Sequence, residues 1–295
     1  MIFLFYHAAC FDGYMANVIG LNSSESTIKP FGVSPGPNLL KSMEIILKKE
    51  ERPSKILVFD VSLGPEVYAM LQLYSDTVYI FDHHETTQFL WRNECPMPAN
   101  VYINVQMAGC EIAWQYFCPH LPVPEPVRLI GNRDTWRVDY TENHNNAQEL
   151  AEAIYSVYHP SGSPKRWIEL LDDEKWQELR PTYLLLGKQL IKSRRNRVKS
   201  VCQNKRLKKV FFGPNEQYFV ATVNSPCDQS FIGEYLLSMS SVDFVVIWCY
   251  NGDKKSYKVS LRSARFDVSK IALKFQGGGH ATAAGYEAKN IDIWL

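Results

Sequence analysis

The first 105 residues alternate short apolar runs with helix-like stretches, and this alternation limits the possible folds more than any other feature. Ile2–Tyr6, Ile56–Asp60, Val78–Phe81 and Val101–Val105 are rich in β-branched or aromatic residues and read as strands. Between them, Gly13–Leu21, Asn38–Glu51 and Pro65–Tyr74 carry apolar residues at helical spacing. Strands joined through helices pair in parallel, so the expected fold class is α/β, an N-terminal domain built on a parallel sheet. Open sheets of this kind gather function in the crevice beyond the carboxyl ends of their strands. Three expected strands end there in acids or histidines: Tyr6-His7, Phe59-Asp60 and Phe81-Asp82-His83-His84.

The chain has 295 residues, 46% of them hydrophobic, which suits two domains with real cores. From Lys165 to about Leu207 the pattern is strongly helical, and Lys188–Lys209 is basic with no acid. That tail reads either as a solvated interdomain helix or as a basic rail beside a phosphate-bearing substrate. Beyond it, Tyr218–Val223, Phe244–Tyr250 and Tyr257–Leu261 read as strands, with a helix near Ile232–Ser240 and a hairpin signal at Tyr250-Asn251-Gly252-Asp253. The expected domains are therefore 1–187, a basic helical linker 188–209, and a smaller α+β domain 210–295. A net charge of +1 singles out no partner, so attraction for nucleic acid must come from local clustering. Seven cysteines without a CxxC pair suit a reducing compartment rather than a zinc knuckle. Met1–Phe5 is apolar but lacks a basic flank, and no run reaches membrane-spanning length. The expectation is a soluble cytoplasmic protein with no membrane partner.

His7 and Asp12 close the first strand within His7-Ala8-Ala9-Cys10-Phe11-Asp12-Gly13, Asp60 closes the next, and Asp134 lies in Gly131–Trp136. A lone Asp or His at a strand end is more often a cap or a surface residue than a ligand. A set of carboxylates and imidazoles in this order suits a borderline-hard divalent ion such as Mn²⁺. A carboxylate shared by two such ions gives the arrangement that clamps an in-line displacement at phosphorus.

The pattern resembles the DHH superfamily of phosphoesterases, which includes RecJ-type exonucleases, oligoribonucleases and type II pyrophosphatases. His7/Asp12, Asp60, Asp82-His83-His84 and Asp134 fall in its four successive motifs, and Gly277-Gly278-Gly279-His280-Ala281-Thr282-Ala283-Ala284-Gly285 resembles the signature of the DHH-associated substrate domain. The resemblance implies two Mn²⁺ ions, with Mg²⁺ or Co²⁺ as substitutes. His7 and Asp60 hold one ion; Asp12, Asp60, His83 and Asp134 hold the other. Asp82 orients a neighbouring histidine or touches metal, His84 faces the scissile phosphate, and a hydroxide activated by both ions attacks it. The family's first motif is usually His-xxx-Asp-x-Asp. Here Cys10 stands at the earlier Asp position with the spacing shortened by one residue, a variant of the oligoribonuclease and cyclic-nucleotide branch. Cys10 is left open as a ligand or as packing, since thiolate is a soft donor for Mn²⁺.

The glycine run lets backbone N–H groups approach a phosphate, His280 adds a donor, and Arg262 suits a phosphate clamp. His120, His144 and His159 read as surface residues and Trp167 and Trp176 as core. Arg133 and Trp136 read as support for Asp134, and Tyr14 as either a base-stacking or a packing residue. The leading functional expectation is a Mn²⁺-dependent phosphodiesterase that takes very short single-stranded RNA, DNA or a nucleotide to nucleoside monophosphates. Alternatives are a cyclic mono- or dinucleotide phosphodiesterase, a 3′-phosphoadenosine 5′-phosphate phosphatase, and a degenerate nucleotide-binding sensor. The oligomeric state stays open, a homodimer included.

Overall fold

A strand with no polar side to give to solvent must be covered on both faces, and Ile2–His7 (β1) is one: Ile2, Phe3, Leu4 and Phe5 are all buried. The computed structural model describes residues 1–23, 27–36, 38–93, 96–214 and 216–295. After β1 come Phe11–Asn22 (α1), Ile28–Val33 (β2), Leu39–Lys49 (α2), Lys55–Phe59 (β3), Pro65–Gln72 (α3), Val78–Asp82 (β4), Glu85–Leu90 (α4) and Val101–Ile103 (β5). The strands form one parallel sheet of order β2-β1-β3-β4-β5. On one face Phe3, Phe5, Ile56, Val58 and Ile80 pack with Leu39, Met43 and Leu47 of α2 and Leu71 of α3. On the other, Phe59 meets the rings of Tyr116 and Phe117. The expected α/β class is the observed one.

β2 carries no strand signal in the sequence because Pro30 and Gly32 interrupt it. Its place at the sheet edge explains why it tolerates them, since an edge strand can spare the N–H that proline lacks. The stretch beyond β5 is helical: Gly109–Phe117 (α5), Glu125–Asp134 (α6), Val138–Thr141 (α7), Ala147–Val157 (α8), Pro164–Ile168 (α9) and Asp173–Cys202 (α10).

The chain divides into two compact units, Met1–Ile191 and Lys192–Leu295, and the division falls within α10. The basic stretch 188–209 is thus not one helix. α10 ends at Cys202, and Arg206–Gly213 is a strand (β6) whose residue Val210 enters the core of the second unit. Arg194 and Arg197 of α10 both bind Asp228, at 3.1 Å and 2.7 Å, so part of its charge is spent on an ion pair.

The second unit continues with Glu216–Asn224 (β7), Gln229–Met239 (α11), Phe244–Asn251 (β8), Ser256–Arg262 (β9), Val268–Lys274 (α12), Gly278–Gly279 (β10) and Ala283–Ala288 (β11). Its sheet has the order β10-β11-β9-β8-β7-β6, antiparallel except for β7 beside β8. The hairpin expected at Asn251 joins β8 to β9, with Asn251 Oδ1 accepting from the Lys254 amide at 3.1 Å. Trp294 is fully buried among Phe212, Phe244 and Phe275. Among the described residues six cysteines are free; Cys95 lies outside them. No described helix is long and apolar enough to cross a membrane.

In the first unit, α8 and α10 touch backbone to backbone. A Cβ on Gly187 would stand 1.9 Å from the Glu149 carbonyl oxygen, so no side chain fits there. Gly187→Ala is expected to destabilise the chain by about 1–3 kcal/mol or more, as overpacking does. Urea unfolding measures it, and an unchanged midpoint would contradict this packing.

Candidate metal centre

β1, β3 and β4 are neighbours in the sheet, so topology alone brings their carboxyl ends together. His7 is the last residue of β1, Asp60 follows β3, and Asp82 ends β4 with His83 and His84 behind it. Asp60 adopts a left-handed backbone conformation at φ 58°, as do Ala9 at φ 58° and Trp136 at φ 52°. Strained backbone of this kind persists where surrounding structure enforces it, and it gathers at functional sites. Here all three residues flank or form the cluster.

Asp60 lies between two imidazoles. Its Oδ1 is 3.1 Å from His83 Nε2, and its Oδ2 is 3.4 Å from His7 Nδ1. His83 Nε2 also stands 3.5 Å from Asp12 Oδ2 and 3.6 Å from Asp134 Oδ2, so three carboxylates surround one ring. Three overlapping sets have donor atoms within 4.8 Å of one another: His7, Cys10 and Asp60; Asp12, His83 and Asp134; and Asp60, Asp82, His83 and His84. The structure thus gathers every metal-binding candidate of the sequence into one cluster. Asp134 arrives at the end of a helix, α6, rather than at a strand tip.

Asp82 differs in kind from the others. Its Oδ1 pairs with His84 Nδ1 at 2.8 Å, and its Oδ2 accepts from Thr87 Oγ1. Both oxygens are engaged, so this carboxylate orients His84 and leaves little for a cation. Burial would lower the pKa of His84, but Asp82 outweighs it and raises the ring above its ordinary value.

Several contributors carry no sequence signal. The Gly109 and Cys110 amides at the start of α5 donate to Asp12 Oδ2 and Oδ1, each at 2.7 Å, aiming the positive end of a helix at this carboxylate. A Cβ on Gly109 would sit 2.7 Å from Asp60 Cβ, and one on Gly13 would sit 2.9 Å from Asp60 Oδ2. Both glycines therefore leave room for the cluster itself. Glu111 accepts from the Ala108 amide at 3.0 Å and from Arg137 Nη2 at 2.6 Å, tying α5 to the segment that follows Asp134. Glu111 three residues after Ala108 is a legible helix start; that the helix would hold Asp12, 97 residues away, is not.

The residues fit a divalent cation pair. His7 Nδ1 and Asp60 Oδ2 are buried without a hydrogen-bond partner, and the buried acids Asp12 and Asp60, joined by the more exposed Asp134, need positive charge. Burial, then Asp60 and Asp134, push Asp12 up to about 8. Burial would also raise Asp60, but His7 and His83 hold it below the usual carboxylate range. Burial would lower His83; Asp60, Asp12 and Asp134 push it up to about 10 instead. Burial and the same three acids raise the Cys10 thiol.

In the second unit, Arg262 ends β9 and is packed against Gly233, with Nη1 donating to the Leu261 carbonyl at 2.9 Å and Nε and Nη2 reaching Ser230 Oγ at 3.4 Å and 3.3 Å. Burial lowers its pKa, and no ion pair to a described carboxylate accompanies it. The glycine run forms a tight turn of backbone against backbone. Gly279 has φ 135°, and a Cβ on Gly277 would stand 2.2 Å from the Gly285 carbonyl oxygen, so these two glycines are required by packing; Gly278 faces open space. The His280 amide donates to the Ala283 carbonyl at 2.8 Å.

Other expectations resolve simply. Tyr14 is buried edge-on to Trp167 and donates to the Gly162 carbonyl, so it packs. Trp167 and Trp176 are core. The Arg133 guanidinium lies 3.5 Å over the Tyr155 ring. His144 pairs with Asp139 and Glu142, and His159 with Ser161, all at the surface.

Residues 215–293 match the DHHA1 domain. That match, together with the parallel sheet and the Asp82-His83-His84 cluster, makes the chain similar to proteins of the DHH family. Members of that family are metal-dependent phosphoesterases. An uncharacterized protein, R106, of Acanthamoeba polyphaga mimivirus is 28% identical over 79% of this chain, which spans only 53% of that relative. The fold is shared with the DHH domain of a protein assigned to a family of ribosomal proteins (TM-score 0.60, 16% identity, 97% of this chain and 82% of that one). It is also shared with PggH, a pGpG-specific phosphodiesterase from Vibrio cholerae (TM-score 0.52, 15% identity, 97% and 92%). An exopolyphosphatase-related protein from Bacteroides fragilis is similar too (TM-score 0.51, 16% identity, 98% and 87%).

Asp12 and His83 bind protons more tightly folded than unfolded. Their contribution to stability is complete below the ordinary values of 3.8 and 6.5, and it is lost as pH rises through about 8 and about 10. The metal-free chain is therefore expected to lose thermal stability between about pH 6 and 9, while divalent-ion affinity rises because both protons must leave. Thermal unfolding and calorimetry across that range check both trends. Glu111→Gln, which strips the charge opposite Arg137, is expected to weaken divalent-ion binding by about tenfold. Unchanged affinity would show that Asp12 does not depend on this tie.

Proposed function

We propose that this chain is a Mn²⁺-dependent phosphodiesterase that hydrolyses very short oligonucleotides to nucleoside monophosphates. The observation that carries the reading is Asp60, whose two oxygens face different imidazoles within overlapping donor sets, as a carboxylate shared by two cations must. A cation pair, when bound, supplies a water of lowered pKa and neutralises charge at the phosphate.

The chain's own residues do the rest. His7, Asp60, Asp12, His83 and Asp134 would hold the cations. Asp82 holds His84 through Nδ1 at 2.8 Å, which fixes the ring so that Nε2 can donate to a phosphate oxygen. A ring held in this way suits stabilisation of charge that develops on the phosphate. Arg262, half-buried and without an ion pair to a described carboxylate, suits a substrate phosphate, with Gly278 and His280 in the same unit. PggH, a neighbour of similar fold, is a pGpG-specific phosphodiesterase, which supports a dinucleotide-sized substrate here. Cleavage of cyclic dinucleotides or of 3′-phosphoadenosine 5′-phosphate is the second reading, since the same cluster serves both.

Turnover of pApA, longer RNA, cyclic nucleotides, 3′-phosphoadenosine 5′-phosphate and pyrophosphate with Mn²⁺ tests this. pApA is expected to be preferred, and a preference for pyrophosphate would overturn the reading. Asp60→Ala is expected to abolish turnover with the fold retained, and His84→Ala to lower kcat by about 10²–10³-fold. Near-normal turnover in Asp60→Ala would sink the shared-carboxylate role.

A further inference from the structure

We propose that Cys10 is a metal ligand, and that its sulfur makes one cation position selective for a softer ion such as Zn²⁺, Co²⁺ or Fe²⁺. The inference rests on the metal centre proposed above and concerns how its two positions differ. Cys10 Sγ, a His7 ring nitrogen and an Asp60 carboxylate oxygen lie within 4.8 Å of one another. A second observation points to a ligand at the same place. Asp60 has a side chain only 2% exposed, yet its Oδ2 has no hydrogen-bond partner, and neither has the buried His7 Nδ1 3.4 Å away.

Packing does not account for Cys10. It is absent from the buried apolar core, and the charged groups acting on it are Asp60, Asp134 and Asp12. It caps α1 without a side-chain cap bond, directly after Ala9 at φ 58°, so the turn that carries it is held by its surroundings. The neighbouring set, Asp12, His83 and Asp134, offers only oxygen and nitrogen. One position is thus sulfur, nitrogen and oxygen, and the other is nitrogen with carboxylates. As an ion binds at the first, the Cys10 S–H proton leaves to solvent and the sulfur lone pair forms the bond. Thiolate favours softer ions, while carboxylates tolerate Mn²⁺ or Mg²⁺.

The test titrates the metal-free full-length chain with Co²⁺ and follows near-ultraviolet absorbance. A thiolate-to-cobalt charge-transfer band is expected in the wild type and absent in Cys10→Ser, which still takes up Co²⁺ at the other position. In Cys10→Asp the Zn²⁺-over-Mn²⁺ affinity ratio is expected to fall by at least the roughly tenfold that even an outer-shell change costs. Should Cys10→Ser not fold, alkylation of the wild type mapped by mass spectrometry serves instead, with Zn²⁺ expected to protect Cys10. Co²⁺ uptake without the band, or alkylation of Cys10 undiminished by Zn²⁺, overturns the role of Cys10 alone. No uptake of Co²⁺, Zn²⁺ or Mn²⁺ at all overturns the metal centre and the proposed function with it.

Discussion

Asp60 sits between His7 and His83, one carboxylate oxygen to each ring, at the end of a strand buried on both faces. Neither the acid nor its rings can move away, because β1, β3 and β4 are locked in register by their ladders. The left-handed turn at Asp60 is part of the same constraint. A buried carboxylate among other carboxylates is costly unless positive charge meets it. That demand organises what surrounds it: a helix N-terminus aimed at Asp12, glycines at 13 and 109 that yield their space, and Asp82 reserved for aligning His84.

The second unit uses different means. Its mixed sheet is closed around Trp294, and its glycine run is compressed until two of three glycines have no room for a side chain. Beside that turn in the sheet, Arg262 pairs with Ala283 across the ladder and stays half-buried, with no ion pair to a carboxylate among the described residues. Its guanidinium nitrogens reach the Leu261 carbonyl and Ser230 Oγ.

The parallel sheet was legible because its strands β1, β3 and β4 are short apolar runs ending in polar residues, a pattern that survives in one dimension. β2, β6 and β11 were not. β2 is broken by Pro30 and Gly32, β6 is rich in lysine, and β11 is mostly small residues, so each is a strand through its neighbours rather than its own preference. The basic tail of α10 looked continuous with 206–209 because charge does not distinguish a helix from an edge strand, whereas the pairing of Arg206 with Thr222 does.

His7, Asp12, Asp60, Asp82, His83 and Asp134 could be named from the sequence because donor type and order are properties of the chain itself. Their grouping came only from the resemblance, since distances between residues dozens of positions apart exist only after folding. The resemblance left Asp82 to orient a histidine or to touch metal; in the tertiary structure its two oxygens meet His84 and Thr87. Sequence left Cys10 ambiguous, and folding set its sulfur against His7 and Asp60. The amides of Gly109 and Cys110 have no residue identity to read, because every backbone carries the same N–H; only the approach of α5 to Asp12 makes them part of the centre.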